Sequence, residues 1–210
     1  MSQVQSLLLR TFIAFELPEN VRRAISDYVQ PLRALPERVS WVKPENVHLT
    51  LKFLGDTPEK RIAEIAGALR EVAARAQPIA ATVSGCGVFP NEHRPRVVWI
   101  GLEEKSNSAP ASLPPKLSDE EGRSALQKLA NEIDERMHSL GFEKENRPFS
   151  AHLTIGRIRE GAGEKIIATM QAKPFGSQAV SLNEITMMRS VLHSGGSLYT
   201  PLCKIKLGSS

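Results

Sequence analysis

The chain has 210 residues, 41% hydrophobic and 24% charged, with a formal net charge of +4, a composition able to bury one good-sized core. It holds no run near the roughly 20 apolar residues of a spanning helix, and Gln3, Gln5 and Arg10 interrupt the N-terminal Leu7, Leu8 and Leu9 where a signal peptide would be apolar, so a cytoplasmic protein is expected. The positive excess agrees with a polyanionic partner but is too small to identify one.

Residues 7–15 are apolar and lead into Leu17-Pro18-Glu19, which predicts a strand feeding a helix with Pro18 in its first turn. Residues 39–42 read as a short strand, Pro44-Glu45-Asn46 as a turn, and 47–54 as a strand stopped by Gly55. Thr57 is predicted to cap a helix carrying Ile62, Ile65, Ala66, Leu69, Val72 and Ala73 at helical spacing. Strands at 79–89 and 96–102 follow, joined by a turn-rich segment. The Ser-, Pro- and charge-rich stretch 103–122 is expected to be a flexible surface loop. A helix from about Asp119 to Leu140, a short helix at 166–170 and strands at 180–188 and 198–205 complete the prediction. The alternation of strands and helices predicts α+β architecture.

Two near-identical tetrapeptides stand about half the chain apart, each inside a predicted strand: His48-Leu49-Thr50-Leu51 and His152-Leu153-Thr154-Ile155. Alternation along a strand puts His48 and Thr50 on one face, and His152 and Thr154 likewise. A lone His-x-Thr is most often a packed or hydrogen-bonded histidine, but nothing in a hydrophobic core requires the same imidazole-and-hydroxyl face twice. One copy on each lobe of a two-lobed structure would supply a general acid and a general base near neutral pH, which suits metal-free phosphodiester cleavage.

Two histidines without a third His, Cys or carboxylate at ligand spacing fall short of the three protein ligands of a catalytic zinc, so no metal and no cofactor are expected. Cys86 lacks a nucleophile elbow, and Cys86 and Cys203 are expected to be free thiols. His93, His138 and His193 are expected at the surface.

The duplicated motif resembles the signature of the 2H phosphoesterases, and the flanking text narrows the resemblance to the RNA 2',3'-cyclic phosphodiesterases, also called 2'-5' RNA ligases. It includes Thr11 to Pro18, Trp41 to Val47 leading into His48, Leu51 to Gly55, Gly87 to Pro90, Arg94 to Trp99, Arg147-Pro148-Phe149, Gly156-Arg157 and Tyr199 to Leu202. Two departures are the long stretch 103–122 and Ala151, where the family often has proline.

The resemblance implies a single bilobal α+β domain over 1–210, pseudo-two-fold, with two mainly antiparallel sheets flanking a central groove and helices outside. It implies His48 as proton donor, His152 as proton acceptor, and Thr50 and Thr154 as donors to the phosphate oxygens. The partners implied are RNA or oligonucleotide ends bearing 2',3'-cyclic phosphate, handled by a monomer without metal, membrane or cofactor. ATP-independent 2'-5' ligation would be the reverse reaction. Rival readings are a related 2H enzyme acting on 2'-5' oligonucleotides or nucleotide cyclic phosphates, and a non-catalytic RNA-end-binding module. Arg157 matches the position of the family's phosphate-contacting arginine, although strict alternation puts it opposite His152 unless Gly156 introduces a bulge. Lys52 continues the His48 and Thr50 face by alternation, and Phe12 and Ile13 are candidates for stacking on a terminal base.

Overall fold

The structure is a computed structural model, and it describes residues 7–104, 124–159, 162–194 and 196–208. In chain order the described elements are β1 (Leu8–Glu16), α1 (Glu19–Arg33), β2 (Val39–Trp41), β3 (His48–Pro58), α2 (Ile62–Arg75), β4 (Ile79–Phe89) and β5 (Val97–Glu104). There follow α3 (Ala125–Ser139), β6 (His152–Ile158), α4 (Glu164–Ala172), β7 (Gln178–Leu182), β8 (Glu184–His193) and β9 (Gly196–Lys206), with single 3₁₀ turns at Pro44–Asn46 and Glu59–Arg61.

All pairing is antiparallel, in the order β7-β4-β5-β6-β3-β1-β8-β9, with β2 against the end of β6. The two expected sheets are halves of one curled sheet, joined at its centre where β3 meets β6 through the pair Leu49 and Leu153. One motif strand belongs to each half. The α2 and α3 helices pack on each other and on β9 and β3. On the other half α4 packs on β4, and Tyr28 of α1 donates to Cys86 Sγ of β4 at 3.2 Å. Helical spacing turns Ile25 and Val29, Leu69 and Val72, and Ile133 and Met137 into one core with Leu49, Ile100 and Leu153. Each such side chain contributes about 1.5–3 kcal/mol by burial. A second, small apolar cluster of Phe12, Ala14 and Met188, with Tyr199 against it, lies apart from that core.

Five boundaries differ from the sequence reading. Gly55, at φ +70°, does not stop β3, which continues to Pro58 along β1. Thr57 is therefore a strand residue, fully buried and hydrogen-bonded to Thr11 Oγ1 at 2.8 Å, and α2 begins after a 3₁₀ turn without a side-chain cap. The predicted strand 180–188 is divided at Asn183 into β7, which pairs with β4, and β8, which pairs with β1, because the chain crosses there from one half-sheet to the other. Glu103 and Glu104 belong to β5, while the rest of the expected loop lies outside the described residues. The α3 helix starts at Ala125, capped by Ser124 and Gln127 in a reciprocal box. Cys86 and Cys203 are free thiols. Among the described residues no helix is long and apolar enough to cross a membrane.

Candidate active site

The two motif strands share one burial sequence. From His48 to Leu54 and from His152 to Ile158 the residues run partly buried, buried, partly buried, buried, buried, exposed, buried. Two successive buried residues break strand alternation, and a β-bulge causes each break. Going from Ala14 to Ile13 on β1, the partner jumps from Thr50 to Lys52 and leaves Leu51 extra. From Trp99 to Val98 on β5 it jumps from Thr154 to Gly156 and leaves Ile155 extra. The extra residue is the last of each tetrapeptide, so the next side chains exchange faces.

His48, Thr50 and Phe53 consequently share the non-core face of β3, and His152, Thr154 and Arg157 that of β6. Because β3 and β6 run antiparallel through Leu49 and Leu153, the same register sets His48 alongside Thr154 and His152 alongside Thr50. Glycine suits position 156 because a Cβ there would crowd the Trp41 ring and Val39 of β2, each at 3.0 Å. At Gly87 on β4 a Cβ would strike the Trp99 ring at 2.4 Å, so the absent side chain lets Trp99 lie down opposite Thr154.

The histidines are held alike. His48 Nδ1 meets the Asn46 carbonyl oxygen at 2.7 Å, and His152 Nδ1 meets the Ser150 carbonyl oxygen at 2.8 Å. A carbonyl only accepts, so each Nδ1 donates, which leaves the Nε2 of each neutral ring as a base. Neither Nε2, and neither threonine hydroxyl, has a hydrogen-bond partner among the described residues. The surroundings differ. Phe12 stacks on His48 at 4.7 Å, and Tyr199 meets it edge-on at 5.3 Å. Phe89 meets His152 edge-on at 5.0 Å.

Burial moves the His48 pKa below its ordinary value of 6.5, against the opposing pulls of the Asn46 hydrogen bond and the Glu16 carboxylate. Glu16 stands across from His48 on β1, and its carboxylate accepts hydrogen bonds from Thr186 Oγ1 at 3.1 Å and from Lys204 at 2.6 Å.

Three of the four candidate substrate contacts are placed differently from the sequence reading. Lys52 does not continue the His48 and Thr50 face, because the bulge turns it under the sheet; it is 1% exposed and donates to Asp134 Oδ1 at 2.5 Å and to the Glu143 carbonyl at 2.7 Å. Ile13 is 0% exposed and belongs to the main core. Phe12, 3% exposed, is covered by the rings it supports, and offers no open face for a base. Arg157 is exposed on the His152 face, where the bulge directs it.

Sequence reasoning missed Phe53 and Tyr199. Phe53 is 62% exposed and lines a groove of about 1460 Å³ together with Thr50, Phe89, Arg147, Phe149 and His152. The signal for Phe53 was available: it stands as far beyond His48 as Arg157 stands beyond His152. Among the described residues no group of three or more His, Cys, Asp or Glu is placed to hold a metal ion.

The family model described as LigT like Phosphoesterase matches residues 15–99 and 117–199. The RNA 2',3'-cyclic phosphodiesterase of Archaeoglobus fulgidus is 32% identical over 196 residues, covering 92% of this chain and 98% of its own length. That of Methanothermobacter thermautotrophicus is 32% identical over 198 residues, covering 92% of this chain and 96% of its own. Among solved structures, E. coli LigT complexed with 3'-AMP superposes with a TM-score of 0.72 at 25% identity, covering 97% of this chain and all of that one.

Proposed function

The chain belongs to the LigT-like phosphoesterase family, and from that membership we propose that it is an RNA 2',3'-cyclic phosphodiesterase, converting terminal 2',3'-cyclic phosphates to 2'-phosphomonoesters by two-histidine acid/base catalysis. The observation that supports this most is the equivalence of His48 and His152, each donating through Nδ1 to the carbonyl two residues before it and each set beside the other motif's threonine.

In this reading water attacks phosphorus in line with the departing 3'-oxygen. The Nε2 of His152 takes the water's proton, and the Nε2 of His48 protonates the leaving oxygen. Attacking and leaving oxygens lie on opposite sides of phosphorus, so a two-fold pair of imidazoles suits the displacement. Thr50, Thr154 and Arg157 donate hydrogen bonds to the non-bridging oxygens as negative charge builds. Phe53 offers its exposed ring to the terminal base. Microscopic reversibility allows the same groups to join a 2'-hydroxyl to a cyclic phosphate without ATP. Burial disfavours the charged form of His48, while the Asn46 hydrogen bond, the Glu16 carboxylate and the bound phosphate anion favour it, so in this reading the donor form is set up when substrate binds.

The test is hydrolysis of a 2',3'-cyclic nucleotide in excess chelator. The wild-type protein is expected to turn over and to release the 2'-phosphomonoester, with His48→Ala and His152→Ala each lowering kcat by about 10²–10⁴-fold. Tight binding of cyclic-phosphate ends without turnover would replace the enzyme by an RNA-end-binding module.

A further inference from the structure

We propose that Asn46 is a positioning residue, through which the end of the β8–β9 hairpin holds the His48 imidazole in its proton-transfer orientation; this rests on the role given to His48 above. Asn46 closes the 3₁₀ turn just before β3, its N–H donating to the Lys43 carbonyl at 2.8 Å within that turn, and two further hydrogen bonds lead from it in different directions. Its backbone oxygen accepts from His48 Nδ1 at 2.7 Å, and its side-chain Nδ2 donates to the Ser197 carbonyl oxygen at 2.6 Å. Ser197 lies near the start of β9, and two residues later Tyr199 sets its ring edge-on to both His48 and Phe12, at 5.3 and 5.0 Å. The hairpin thus reaches His48 twice, by the Tyr199 ring and through Asn46.

The hairpin end needs such a tie. Pairing of β8 with β1 stops at Arg189, whereas pairing of β8 with β9 runs on to His193 and Gly196. Among the described residues the last residues of the two-stranded arm have no third strand beside them, and an isolated pair of strands is only marginally stable. The arrangement is also specific to one histidine. His152 donates to the Ser150 carbonyl in the same way, but the exposed Ser150 side chain has no hydrogen-bond partner among the described residues. A fixed Nδ1–H donor leaves Nε2 aimed at the reacting atoms, and a small rotation of the ring costs rate more than binding. The charged group that acts on this ring is Glu16 on β1, itself paired with Lys204 of β9 at 2.6 Å.

The test compares wild type with Asn46→Ala and Asn46→Asp in the full chain, using cyclic-nucleotide hydrolysis and ring ¹⁵N resonances of the histidines. Aspartate keeps the size of the side chain but presents only oxygens to the Ser197 carbonyl, so it separates the hydrogen bond from the space, and serves alone if the alanine variant does not fold. The expected result is a fall in kcat of about 10–100-fold with KM within a few-fold of wild type. The His48 ring should pass from a single Nδ1–H tautomer to averaged tautomers, and His152 should be unchanged. Unchanged kcat in both variants, or a loss of kcat with the His48 ring signature intact, would overturn the proposal and leave the reading of His48 standing. Full turnover in His48→Ala would remove that reading, and this proposal with it.

Discussion

Phe53 and Arg157 are counterparts across the centre of the sheet: each stands five residues beyond a motif histidine and reaches the groove face through a bulge at the motif's last residue. Because β3 and β6 run in opposite directions, the two side chains mark opposite ends of the site. One end offers an apolar ring and the other a guanidinium. On the function proposed above, a near-symmetric scaffold thereby suits a substrate that has a base on one side and charge at its phosphorus.

Phe53→Ala is expected to raise KM for a 2',3'-cyclic nucleotide by about 5–100-fold, the loss of one base-stacking face. Arg157→Ala is expected to act chiefly on kcat, by about 10–1,000-fold, because the charge it faces grows in the transition state. Steady-state kinetics of both variants on one substrate check the contrast; parallel changes in kcat and KM would show the two ends to be equivalent.

Thr50→Ala and Thr154→Ala should each reduce kcat by about 10–1,000-fold, since each removes a hydroxyl beside the opposite motif's imidazole. Combining Thr50→Ala with His152→Ala should cost less than the sum of the two in ΔΔG‡, because the register pairs those residues. Strict additivity in that double-mutant cycle would argue against the crossed arrangement.

Lys52→Met should affect stability rather than chemistry. Its ammonium lies buried against Asp134, and removing one partner of such a pair leaves an uncompensated charge, at a cost of about 3–5 kcal/mol. Urea denaturation should show that loss and its partial recovery in Lys52→Met with Asp134→Leu. Turnover per folded molecule should stay close to wild type.

The His48 pKa lies below 6.5 when folded and near that value when unfolded. Between the two, the unfolded chain binds more protons, so stability is complete above pH 6.5 and is lost as pH falls toward the folded value. A His48→Gln variant should lose less stability over that window. Glu16→Gln removes a carboxylate that favours the imidazolium, so it should move the His48 titration further down, measurable by NMR, and shift the alkaline limb of the kcat/KM profile the same way. An upward shift would contradict this electrostatic account.

Much of the architecture was legible in the residues. The apolar spacing in α1, α2 and α3 and the runs behind β1, β4 and β5 are local patterns, and the repeat of His-Leu-Thr marks the two strands that meet at the centre of the sheet. Local patterning failed at Thr57, where a good capping residue sits instead in a strand beside Thr11, and at Asn183, where a strand-like run is divided between two half-sheets. In both places a partner distant along the chain outweighed the local preference.

From composition and motif alone came an α+β chain with two equivalent imidazole-and-hydroxyl strands, because alternation and duplication are properties of neighbouring residues. Tertiary structure decided which side chains join them. The bulges at Leu51 and Ile155 arise only when β3 lies against β1 and β6 against β5, and they turn Lys52 into the interior and bring Phe53 and Arg157 to the face that carries the histidines. Only the meeting of Leu49 with Leu153 sets each histidine beside the other motif's threonine, since no local rule specifies the register between strands so far apart in the chain.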